Sequence, residues 1–226
     1  MYRNKEIVLC VSEKELRERA EQLFWEMSGF SKENLPSSYQ LEEIKEVWFE
    51  IKEQINVRIL VKKVENYRLE EKSMWIETEQ IAYDLPISLY QETVQGILLF
   101  LVTIEEIPAD GKRVIEQLYT QIWQNAYLDA AREWIKEWLE VKESCFISQS
   151  VAPGFYGIDV SCMKNFGRLL QADQLGITVT QDCYMIPEKT VVGMYFLLKH
   201  DLNIFGKRCK NCLAKGNNCE FCMDKL

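Results

Sequence analysis

Two short stretches of this chain carry residues whose types and spacing could do chemistry. In "CKNCLAKGNNCEFC", Cys209, Cys212, Cys219 and Cys222 form two C-x-x-C pairs, separated by six residues that include Gly216 and Asn217. Each pair can place two thiolates on one ion, and the Gly-Asn reversal lets four sulfurs close a tetrahedral site. The 14 residues from Cys209 to Cys222 cannot bury a core, so a metal is the natural source of order there. Lys207, Arg208, Lys210 and Lys215 offset the charge of a four-thiolate site and favour deprotonated sulfur. Zinc and a 4Fe–4S cluster both accept four cysteines, and spacing alone does not choose between them. Two disulfides are the remaining alternative.

The second stretch is "SQSVAPGFYGIDVS", residues 148–161. Pro153 fixes its own φ, and Gly154 lacks the Cβ that would block a positive φ or an approaching partner. The pair predicts a turn whose backbone can face a ligand, although most Pro-Gly pairs simply reverse the chain.

Those stretches must be held by a core, and the chain has the means to build one: 226 residues, 47% of them hydrophobic. "SEKE" at 12–15 reads as a capping box that opens a helix with Leu16, Ala20, Leu23, Phe24 and Met27 on one face and Gly29 as its stop. A second amphipathic helix is expected over Tyr39–Gln54, striped by Leu41, Ile44, Val47 and Ile51. "NVRILVKKV" (56–64) alternates like a strand with one wet face. "GILLFLVTI" (96–104) reads as a central strand covered on both faces.

A long helix over about 112–141 follows, with Ile115, Leu118, Ile122, Ala126 and Ala130 as its seam and Asp129 beside it. Beyond the Pro-Gly turn come a short helix, Cys162–Gln171, and two strand-like segments joined around Pro187. Helices first, then a strand, a long helix and a β pair predict an α+β fold.

Composition narrows the function. A net charge of −8 without a basic stripe speaks against nucleic acid. The longest apolar run, "ILLFLV", is too short to cross a bilayer, and "MYRNKEIVLCVSEKE" has no secretory-signal pattern. Eight cysteines in such a chain are expected in a reducing cytoplasm, where paired thiols read as metal ligands. Cys10, Cys145, Cys162 and Cys183 stand among apolar neighbours and are expected to be buried thiols. His200 is the only histidine, and no nucleophile–base constellation is visible. The tryptophans are expected to pack the helices.

The order "APGFYG", a helix ending "LL", then "LGITVTQDCYMIPEKTVVGMYF" resembles the reactivation domain of cobalamin-dependent methionine synthase, and more closely its stand-alone versions. The resemblance spans roughly residues 10–200. It implies a C-shaped, mainly antiparallel sheet with surrounding helices over 1–206, followed by the cysteine-rich tail at 207–226. It implies S-adenosylmethionine at the turn and docking over the cobalamin of a partner corrinoid methyltransferase. There an inert cob(II)alamin is reduced by one electron and trapped by methyl transfer.

By position, the resemblance assigns ligand contacts to Ala152, Gly154 and Phe155 of the turn, to Asp129 of the long helix and to Tyr195 of the last strand. The family arginine falls on Ser150, and the family tyrosine on Phe155. A serine hydroxyl offers the ligand carboxylate one neutral bond where a guanidinium offers two charge-assisted ones, a loss of about 1.5–3 kcal/mol. Lys164 and Arg168 are the nearby cations that could compensate. Two other functions compete: an adaptor that kept the fold and lost the small ligand, and a redox protein whose tail cluster passes electrons to another protein.

Overall fold

The computed structural model describes residues 6–30, 33–84, 86–108 and 111–201. Its centre is a five-stranded, wholly antiparallel sheet in the order β1-β2-β6-β10-β7. The strands are β1 (Glu6–Val11), β2 (Val57–Val64), β6 (Val94–Ile104), β7 (Phe146–Ile147) and β10 (Thr190–Leu198). The sheet curls strongly, and helices surround it in an α+β arrangement.

One face of the sheet carries α1 (Glu13–Met27), α2 (Ser38–Ile51) and α3 (Val114–Glu143). Local chemistry sets their starts. The Ser12 backbone N–H and hydroxyl both donate to the Glu15 carboxylate, at 3.1 and 2.9 Å, and Ser37 and Gln40 repeat the box for α2. Tertiary packing supplies the rest. Phe24 stacks on Trp123 with ring centroids 4.1 Å apart, and Trp48 lies 6.5 Å from the same ring. Ala126 and Ala130 are fully buried beneath α1, where side chains this small let the helices come close.

The opposite face is covered by smaller pieces. A meander of β3 (Tyr67–Leu69), β4 (Ser73–Ile76) and β5 (Glu79–Ala82) joins α4 (Met163–Leu169) and a two-stranded ribbon, β8 (Thr178–Val179) with β9 (Met185–Ile186). Met74, Ile81, Phe166, Leu170 and Ile177 from these pieces meet Leu60, Leu99, Val192 and Met194 of the sheet in a second core.

Several expectations are corrected. β2 has no wet face: Leu60, Lys62 and Val64 point where solvent was expected and are buried, because α4 and the meander cover them. The segments around Pro187 do not pair with each other; β9 pairs with β8, while β10 lies between β6 and β7. Leu118 and Met27 are exposed, and the inner face of α3 is built on Tyr119, Trp123, Ala126 and Ala130. Cys10 is exposed, and Cys145, Cys162 and Cys183 are only partly buried.

Candidate functional site

The Pro-Gly turn sits on the outer edge of β10. After β7, the chain runs along that edge until Val151 exchanges backbone bonds with Met194: Val151 N–H to Met194 oxygen at 2.9 Å, and the reverse at 2.8 Å. Val151 itself faces the second core and is fully buried, which anchors the start of the turn. Gly154 then takes φ +88°, a left-handed value that disfavours any Cβ. A Cβ there would meet only Val160 Cγ2, at 3.9 Å. Backbone conformation, not crowding from within the protein, therefore demands the glycine, and the face stays open.

The turn closes on itself. Gly154 N–H donates to the Ile158 oxygen at 2.8 Å, Phe155 N–H to the Ala152 oxygen at 3.1 Å, and Ile158 N–H to the Phe155 oxygen at 3.0 Å. The amides of Gly154 and Phe155 are thus already used, so the expectation that they meet a ligand is corrected for these two donors. The turn can still offer carbonyl oxygens and the Phe155 ring, which is 36% exposed.

Gly193 lets the edge come this close. A Cβ at that position would lie 2.8 Å from the Val151 oxygen and 2.7 Å from Phe100 Cζ. The Phe100 ring stacks on Tyr195 with centroids 4.7 Å apart. Tyr195 is only 1% exposed, and its hydroxyl donates to the backbone oxygen of Arg132 at 3.0 Å. The tyrosine ties α3 to the strand and presents no open ring face.

Asp129 lies on the same flank of α3, its carboxylate 2.8 Å from Arg132 Nη2, with side-chain exposures of 32% and 18%. One turn earlier, Asn125 accepts a bond from Lys189 Nζ at 2.9 Å, just ahead of β10. The flank carrying Asn125, Asp129 and Arg132 is therefore fastened to β10 at both ends. Ser150 precedes Val151 and falls beside Tyr195 along the same edge. The structure thus seats Ser150 and the Pro-Gly turn on the outer edge of β10 and ties the Asp129 flank of α3 to that strand through Tyr195 and to Lys189 just ahead of it.

Of the cations considered as replacements, Arg168 is committed elsewhere: its Nε and Nη2 both bond Glu79 at 2.8 Å, pinning α4 to the meander. That guanidinium, with Asn165, holds the Glu79 carboxyl below its usual range. At the head of the short 3-10 turn before α4, Asp159 accepts from Ser161 N–H at 2.8 Å. Burial pushes up the Cys162 thiol that follows. A separate cavity of about 380 Å³ lies among α1, α2 and Trp123, lined by Arg17, Trp25, Leu41 and Phe49. None of the residues assigned to the ligand lines it.

Cys209, Cys212, Cys219 and Cys222 lie outside the described residues; within those, no group of three or more His, Cys, Asp or Glu side chains could hold a metal ion. No described helix is long and apolar enough to cross a membrane.

No family model matches the chain, and no curated protein matches it at a significant level. A solved structure does. The chain is similar to the crystal structure of the MetH reactivation domain bound to AdoHcy, at a TM-score of 0.61 and 14% identity, over 89% of this chain and 81% of that one.

Proposed function

We propose, from the fold this chain shares with a reactivation domain at 14% identity, that it is an accessory protein for a corrinoid methyltransferase, with an S-adenosyl ligand held where α3 and the Pro-Gly turn meet the edge of β10. The supporting observation is the convergence on that edge of Asp129, Tyr195, Ser150 and the turn Ala152–Phe155, with Gly154 open to solvent. The residues fit such a ligand in kind: an acid for an ammonium, carbonyl oxygens for an adenine amino group, and an exposed ring for a flat base.

In this role the chain binds and aligns the methyl donor, while the partner's corrinoid supplies the methyl-transfer chemistry. Calorimetric titration with AdoHcy should give single-site binding in the micromolar to millimolar range. Absence of heat at millimolar ligand would remove the reading.

A second reading is favoured by the closed hydrogen bonds of the turn. An adaptor that kept the fold without its ligand would need no free amides there. It would use exposed aromatic rings such as Phe155 of the turn to meet a partner. Retention on an immobilised cobalamin-binding domain without AdoHcy binding would select it.

The cysteine tail belongs to either reading as a zinc clasp or an electron-delivering 4Fe–4S cluster. Anaerobic purification should yield one zinc per chain, or about four irons with a visible charge-transfer band. A colourless, metal-free protein would sink both options.

A further inference from the structure

We propose that Arg132 supplies the guanidinium that Ser150 does not, so that Asp129 and Arg132 together read the zwitterionic end of an α-amino-acid ligand such as that of AdoHcy. The inference rests on the ligand reading above and names the residue that makes it workable.

Four observations carry it. Arg132 lies on the flank of α3 that is fastened to β10 by Lys189–Asn125 at one end and Tyr195–Arg132 at the other. Its backbone is therefore held against β10, the strand on whose outer edge Ser150 and the turn lie. Its side chain is only 18% exposed, so a carboxylate meeting it would do so with little water between them. Its Nε is buried without a hydrogen-bond partner, and such an orphan donor asks for an acceptor that is not part of the chain. Its one ion pair among the described residues is with Asp129, through a single contact from Nη2 to Oδ1 at 2.8 Å.

A guanidinium has five N–H donors, and this ion pair leaves most of them available. A small turn of the side chain presents Nε and one Nη as a fork to a carboxylate. Asp129 keeps Oδ2 for an ammonium. Two oppositely charged side chains one helical turn apart, with polar atoms 2.8 Å from each other, can address an ammonium and a carboxylate carried on one α-carbon. Of the two nearby cations, Arg168 is occupied by Glu79 through two bonds, whereas the Arg132 guanidinium is held by the single contact to Asp129. Relocating the charge from the turn to the helix also accounts for a serine at residue 150.

Two ligands separate the amino-acid end from the nucleoside. AdoHcy carries the zwitterion; 5′-methylthioadenosine has the same nucleoside and sulfur without it. The wild-type chain should bind AdoHcy about ten- to hundredfold more tightly than methylthioadenosine, the difference expected of a charge-assisted fork. Arg132→Met should lower AdoHcy affinity about tenfold or more, toward that of methylthioadenosine, while leaving the latter unchanged. Arg132→Lys keeps a cation but loses the fork; it should lose several-fold on AdoHcy alone, and it decides the matter if the methionine variant fails to fold. Equal affinity of the wild type for both ligands, or full AdoHcy affinity in the folded variants, overturns the role of Arg132 and leaves nucleoside binding standing. Binding of neither ligand by the wild type overturns the site reading and this inference together.

Discussion

Gly193→Ala is expected to lower stability by about 2–3 kcal/mol, the usual cost of overpacking a filled core, and to weaken any ligand at the β10 edge. The new Cβ would sit 2.7 Å from Phe100 Cζ and 2.8 Å from the Val151 oxygen. Neither neighbour can step aside cheaply. The Phe100 ring is buried and stacked on Tyr195, and the Val151 oxygen accepts the Met194 N–H at 2.8 Å. Relief must come from moving the edge segment away from β10, which carries the Pro-Gly turn with it, or from tilting Phe100 into Tyr195, which disturbs the bond to Arg132. Thermal unfolding should show a fall of about 5–10 °C for a chain of this size. An unchanged melting temperature would mean that the edge segment is not seated on β10 as described.

Lys62 should give the other large effect. It is 2% exposed in the middle of β2, yet it is a cation. Its Nζ lies 2.7 Å from the Leu169 oxygen at the end of α4, 3.0 Å from Glu77 in the β4–β5 turn and 3.9 Å from Glu6 of β1. One ammonium thereby joins the end of α4, the β4–β5 turn and β1. Lys62→Ala removes the stem as well as the charge, opens a cavity and strands the Leu169 carbonyl, for an expected loss of about 3 kcal/mol. Glu77 retains 29% side-chain exposure, so it can rehydrate and the cost stops short of that for a fully buried orphan charge. Lys62→Met restores the volume without the charge and should recover more than half of the loss. Chemical denaturation of the two variants checks the ordering; equal losses would show that the charge, not the packing, dominates.

Both positions mark where one-dimensional reading stops. The capping box at Ser12–Glu15, the amphipathic stripes of α1 and α2 and the continuous apolar run of β6 were legible because each depends on neighbours within a few residues. The left-handed Gly154 was legible for the same reason. β2 was not: its sequence alternates as if half were wet, and whether Lys62 meets water or a carbonyl depends on α4, more than a hundred residues away in sequence. The meander of β3–β5 and the edge strand β1 carry only short, weak alternation, too little to stand out before they are seen packed.

For the candidate site the division is the same. Sequence alone determined that a Pro-Gly turn stands before a short helix, that an acid sits beside the seam of the long helix, and that a serine occupies the position of the expected arginine, because these are matters of residue identity and order. Tertiary structure decided that Gly154 and Phe155 have already spent their amides, that Arg168 is committed to Glu79, and that the backbone of Arg132 is tied to β10 by the Tyr195 hydroxyl. Hydrogen-bond partners and helix flanks are fixed by which surfaces meet across the sheet, and no local pattern in the chain encodes that meeting.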